Sequence, residues 1–142
     1  MMKLRRSVHL AVITAIVLAG AVMIASNGLF ADQTQKPKKE HPFHIKKMKD
    51  QWKVVDADDS TNTVVTAKRG EEVSWKPVGS DVVFQFPDST LFGAYSVAAK
   101  AGKKLTLEVL PEAEPGRYVY SIFCLKDSEF ATGNSPPVII ID

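Results

Sequence analysis

The stretch Gly116–Asp142, GRYVYSIFCLKDSEFATGNSPPVIIID, decides the fold class of this chain. Arg117–Cys124 alternates aromatic and aliphatic residues and reads as a strand, ending at the only cysteine of the sequence. A polar loop with Gly133 and two prolines follows, and Val138–Ile141 is a short, wholly apolar run suited to a buried closing strand. Alternation places Tyr118, Tyr120, Ile122 and Cys124 on one face of the first strand and Val119, Ser121 and Phe123 on the other. Just upstream, Glu114-Pro115-Gly116 followed by Tyr118 has the spacing of a tyrosine corner, in which the hydroxyl ties back to the upstream backbone. The competing reading is an ordinary exposed strand tyrosine.

The same rhythm of short strands and turns extends back to Gln51. WKVVDA (52–57), TVVTAK (63–68), EVSWK (72–76), VVFQF (82–86) and KLTLEVL (104–110) each alternate and are separated by turn-forming residues. PDSTLFGAYSVAAKAG (87–102) is less regular, and its alanines suggest a short helix over 94–100 packed through Leu91, Phe92 and Tyr95. About seven strands at this spacing predict an all-β, Greek-key sandwich over residues 51–142.

The N-terminus differs in kind. Met1–Arg6 is basic and Leu10–Ala25 is an apolar run, the pattern of a secretory signal. Cleavage after Ala31 is expected, with Ala25 as the second site; the run is also long enough to remain as a membrane anchor helix. With no cysteine near the run, a lipid-modified N-terminus is excluded. Residues 32–50, DQTQKPKKEHPFHIKKMKD, read as a basic flexible tether, within which the alternation of Phe43 and Ile45 allows order to begin near Phe43. Either destination, periplasmic or secreted, follows from the same signal.

The formal net charge of +2 conceals a division. Residues 32–53 carry seven lysines against three acids, whereas 54–142 carry eight basic residues against thirteen acids. A domain of that balance lacks the basic face that nucleic acid binding requires. The basic stretch would meet a membrane surface only if the N-terminal segment is uncleaved. A single cysteine in an exported chain forms no internal disulfide.

Three stretches together resemble the cupredoxins, the blue-copper proteins. VVTAKRGEEVSWKP is similar to their opening strand–turn–strand, with Trp75 in place; KAGKKLTLEV to the strand that precedes the ligand strand; and GRYVYSIFC with SPPVIII to the ligand strand and closing strand. The resemblance covers most of 51–142 and implies a cupredoxin-type sandwich. It also implies where copper ligands would stand: a first His near Ser80 and Asp81, Cys124 itself, a second His near Leu125–Asp127, and an axial Met near Thr132. A blue-copper centre takes two His and one Cys, often with a weak Met. No His follows His44 and no Met follows Met48, so the resemblance implies a degenerate copper site.

Several functional readings follow. The first is a non-enzymatic, exported binding or accessory module with no cofactor, whose loop end (Val78–Asp81, Pro87–Tyr95, Leu125–Pro137) meets a protein partner or a small cationic ligand. Asp81, Phe86, Phe92, Asp127 and Phe130 are its candidate surface residues. The alternative is a copper carrier in which Cys124 joins His41, His44 and Met48. Two imidazoles on a tether do not by themselves complete a metal site. A thiol redox role would need a resolving cysteine that the chain does not supply, and the absence of any His beyond His44 removes a Ser-His-Asp or Cys-His catalytic set from the domain. Asp56, Asp58, Ser60 and Asn62 alternate like a calcium loop, but Thr61 and Ala67 stand where Gly and Glu are required.

Overall fold

The computed structural model describes residues 36–133 and 136–142. The chain divides into Met1–Gln33 and Thr34–Asp142, and the second unit is the β domain. The signal or anchor segment lies outside the described residues. Among the described residues no helix is long and apolar enough to cross a membrane.

Among the described residues the domain has eleven strands: β1 (Glu40–Met48), β2 (Gln51–Asp56), β3 (Val64–Ala67), β4 (Glu72–Pro77), β5 (Val82–Gln85), β6 (Ser96–Ala99), β7 (Leu105–Glu108), β8 (Gly116–Val119), β9 (Ser121–Cys124), β10 (Glu129–Phe130) and β11 (Val138–Ile141). One sheet has the order β2-β1-β4-β7. A second, β10-β9-β5-β6, and a third, β3-β11-β8, meet along a single stretch of chain. Gly116–Val119 pairs with β11 while Ser121–Cys124 pairs with β5 and β10, and the Tyr120 amide between them donates to the Pro137 carbonyl at 3.1 Å. The second and third sheets are therefore continuous through this stretch and form one layer against the first. The chain crosses repeatedly between layers, which gives the all-β sandwich expected from the sequence.

Trp75 on β4 anchors the core between the layers. Its ring centroid lies 5.1 Å from Phe84, 6.2 Å from Phe86, 5.8 Å from Phe92 and 5.9 Å from Tyr120. The buried indole Nε1 donates to the Tyr120 hydroxyl at 3.1 Å, so both polar atoms are satisfied away from water. The Tyr118 hydroxyl donates to the Glu114 carbonyl at 2.7 Å, the tie-back expected of the corner. Tyr120, Ile122 and Cys124 are buried and Tyr118 packs on the core, as alternation requires.

Two expectations are corrected. Residues 40–48 are not tether: β1 is an interior strand, antiparallel to β2 and parallel to β4, with Phe43 opposite Trp75 and Ile45 opposite Pro77. Phe43 and Ile45 are buried, while the lysines that suggested a linker sit on the solvated parity and at the strand end. The connection to β2 is a two-residue turn in which both Lys49 and Asp50 have positive φ, 48° and 64°. This is the primed geometry that suits hairpin twist, without the usual glycine. The second correction concerns 94–100, where the expected helix is replaced by strand β6, paired with β5 through Val83↔Ala98 and Phe84↔Val97. Pairing with a buried neighbour overrides the helical preference of alanine. The aspartates of 56–62 close Asx turns: Asp56 accepts from the amides of Asp58 and Asp59, and Asp59 from that of Thr61.

Candidate functional site

The β4–β5 loop and the segment after β9 come together at one end of the sandwich. Val82 pairs with Cys124, which brings Ser80–Asp81 beside Leu125–Lys126. The Leu125 amide donates to the Asp81 carbonyl at 3.0 Å, and the Lys126 amide donates to Ser80 Oγ at 3.0 Å. Ser80 Oγ in turn donates to the Asp81 carbonyl at 2.7 Å. Ser80 is one of few buried polar residues, and this loop–loop clasp accounts for it.

Cys124 is fully buried behind the clasp. Burial pushes its thiol up to about 11, with the carboxylates of Asp127 and Glu129 adding to the rise. A thiolate, the form that ligates metals and attacks electrophiles, is thereby disfavoured. The implied imidazole positions fall at Ser80–Asp81 and Leu125–Asp127, where Ser80, Asp81 and Asp127 are each engaged in hydrogen bonds within the domain, and the Cys124 thiol is buried. Thr132, at the implied axial position, instead bridges to β2: its amide donates to the Trp52 carbonyl at 2.8 Å and its hydroxyl accepts from Lys53 at 3.0 Å. This donor set does not fit a blue-copper ion, which needs imidazoles and thiolate together.

The alternative ligand set is not assembled. His41 and His44 are three residues apart on β1, so they take opposite faces of the strand. His41 Nε2 donates to Glu71 at 2.8 Å, holding the Glu71 carboxyl below its usual range. Met48 lies half-exposed at the far end of β1, and Cys124 is buried in another sheet. Among the described residues no three His, Cys, Asp or Glu side chains stand together as a metal cage.

The candidate surface is also redrawn. Phe86 and Phe92 are only 5% and 8% exposed and close the aromatic cluster around Trp75, stacking edge-on with centroids 4.9 Å apart. They complete the core and present no contact area. Asp81 is held by Lys100 at 2.7 Å and by the Ala101 amide at 2.8 Å. Asp127 accepts from Lys47 at 2.8 Å and from Trp52 Nε1 at 2.9 Å, pinning the loop after β9 to the β1–β2 hairpin. Hydrogen bonds to the charged form hold both carboxyls below the usual range, by Lys100 first for Asp81 and Lys47 first for Asp127. Phe130 remains outside, 58% exposed. Beside it, the large apolar side chains that the described residues of this loop end expose are Val78 and Leu125, each about half exposed, and Tyr95. Neither Val78 nor Leu125 stands out from its local pattern, because an isolated aliphatic residue in a polar loop has no periodic partner.

No family model and no curated relative matches the chain. Similar solved structures are amicyanins, which are cupredoxins. An oxidized amicyanin variant is 15% identical with a TM-score of 0.43, covering 76% of this chain and 87% of that one. The Cu(I) form of another variant is 13% identical with a TM-score of 0.44 and the same coverage. Amicyanin from Paracoccus versutus (Thiobacillus versutus) is 16% identical with a TM-score of 0.41, covering 76% of this chain and 86% of that one. The similarity is one of fold, at scores that transfer no ligand, partner or residue role to this chain.

Proposed function

We propose that this chain is an exported, non-enzymatic module of cupredoxin type that lacks a type 1 copper site and binds a protein partner through its loop end. The observation that carries the reading is the clasp at that end. The resemblance would put the two imidazoles of a copper site at Ser80–Asp81 and Leu125–Asp127; these loops are locked together by hydrogen bonds, and the Cys124 thiol behind them is buried and held protonated. Val78 and Leu125 supply apolar contact area there. A protein surface is favoured over a cationic ligand because Asp81 and Asp127 already serve internal cations. Export is supported by the basic Met1–Arg6 followed by the apolar Leu10–Ala25 run.

Equilibrium titration with Cu(I), Cu(II) and Zn(II), beside a His41→Ala/His44→Ala variant, tests the reading. Weak or undetectable binding that does not involve Cys124 is expected. Tight stoichiometric binding lost in a Cys124→Ser variant would overturn it in favour of a copper carrier.

A further inference from the structure

The outer face of the β2-β1-β4-β7 sheet carries a charge pattern that the loop-end reading does not use. Phe43, Ile45, Trp52, Val54, Val73 and Trp75 fill the core from this sheet, so the residues between them point to the other side. On that side Lys46 stands directly opposite Lys53, and His44 directly opposite Lys76. Adjacent strands lie about 4.8 Å apart and successive rows on one face about 7 Å apart, so the four side chains share one patch. Lys76 is exposed and the other three are partly exposed. Among the described residues none of the three lysines makes an ion pair, and the Lys53 ammonium donates to the uncharged Thr132 hydroxyl at 3.0 Å.

Like charges directly opposite one another across a sheet cost stability, and elsewhere on this face that cost is removed. At the far end Glu40, Glu72 and Glu108 stand side by side, and there Lys104 reaches Glu40 at 2.9 Å and Lys38 reaches Glu108. Lys47, beside the patch but on the other parity, is neutralised by Asp127. The Lys46–Lys53–Lys76 end is left uncompensated among the described residues, and a local rule broken without internal relief marks a functional surface. We infer that this patch binds a short acidic segment of a protein partner, whose carboxylates supply the missing relief. An extended chain presents side chains on one side about every 7 Å, the spacing of the Lys46 and His44 rows. The segment is short because the face turns acidic along β1 from His44 to Glu40. A nucleic acid duplex, or an anionic membrane lying flat on the sheet, would also cover Glu40, Glu72 and Glu108 and be repelled there. Exposed ion pairs are individually weak, so the dissociation constant is on the order of 0.1–1 mM at low salt.

Titration of isotopically labelled native protein with a short peptide of alternating Glu and Ser, followed by NMR, tests this. Amide shifts centred on β1, β2 and β4 around Lys46, Lys53 and Lys76 are expected, and they fade as salt is raised. Lys46→Glu or Lys53→Glu weakens binding about tenfold or more, whereas Lys68→Gln, which removes a charge from the β3–β4 turn, leaves it unchanged. Lys46→Glu also turns the opposition with Lys53 into an opposite-charge pair, so the melting temperature holds or rises and the lost binding is not a lost fold. Shifts centred elsewhere, no shifts at about 5 mM peptide, or binding indifferent to both Glu variants would overturn the inference. So would a Lys46→Glu variant less stable than the parent, which would show that the charge at this end is already compensated. Tighter binding to a DNA duplex or to phosphatidylglycerol vesicles, lost in the same variants, would give the patch to a polyanion and overturn it as well. None of these residues takes part in the Ser80–Lys126 clasp, so the loop-end reading stands or falls separately.

Discussion

Replacing Ile45 with alanine separates a core strand from a tether more sharply than any other single change. Ile45 is 0% exposed, opposes Pro77 across the parallel β1–β4 pairing, and its carbonyl accepts the Val78 amide at 2.8 Å. The substitution removes about three methylene-sized groups, each contributing about 0.8 kcal/mol by transfer alone. It also leaves a cavity that the flanking β2 and β4 strands cannot close, giving a total loss of about 3–4 kcal/mol within the range of about 2–5 seen for buried aliphatic truncations. For a domain of this size each kcal/mol shifts the melting temperature by about 4–8 °C, so a fall of at least about 12 °C is expected. Lys46→Ala, one residue along on the solvated parity, should change stability by no more than about 0.5 kcal/mol. Urea denaturation followed by tryptophan fluorescence reads both variants. If Ile45→Ala and Lys46→Ala behaved alike, residues 40–48 would be a linker and the four-stranded sheet would be wrong.

Other consequences are open to measurement. The Cys124 thiol should alkylate slowly in the native state and rapidly once unfolded, since it is inaccessible and protonated at neutral pH. Because its folded pKa of about 11 lies above the unfolded value of about 8.5, the stabilisation it brings is complete below pH about 8.5 and is lost as pH rises toward 11. Cys124→Ala should remove that alkaline loss at the expense of about 1 kcal/mol at neutral pH; an unchanged alkaline profile would contradict the burial of the thiol. Tyr120→Phe leaves the buried Trp75 indole without an acceptor and should destabilise by about 1–3 kcal/mol in chemical denaturation. Mass spectrometry of native protein should find a chain beginning near Asp32, and an intact N-terminus extracted only with detergent would establish an anchor instead.

How much was legible beforehand depends on what each residue's signal was local to. The alternation of Tyr118, Tyr120, Ile122 and Cys124, the corner at Glu114–Tyr118 and the closing run Val138–Ile141 carry their information within one strand, and the sandwich follows from them. β1 did not read this way. Its alternating Phe43 and Ile45 are embedded among lysines, and its turn is Lys49-Asp50 rather than a glycine pair. Composition therefore suggested solvation where parity places only one face in water. β6 failed for a related reason, since four small residues acquire strand character only from pairing with β5.

The site divides along the same line. That no His follows His44 could be read from residue identity alone, whereas the clasp between the Ser80 and Leu125 loops needs the Val82↔Cys124 register. Phe86 and Phe92, expected at the surface, instead pack against Trp75 at centroid distances of 6.2 and 5.8 Å, a contact between elements that no alternation within one strand reveals. The outward patch of Lys53, Lys46, His44 and Lys76 is assembled from three separate strands and exists only in the paired sheet.

On the proposed reading, a Ser80–Lys126 clasp over a buried thiol fills the end of the sandwich where a blue-copper ion would sit. The visible absorption spectrum of the folded protein after addition of Cu(II) decides it. An essentially colourless solution, indistinguishable from that of a Cys124→Ser variant, is the predicted result. An intense blue or green thiolate-to-copper band abolished by Cys124→Ser would contradict the account.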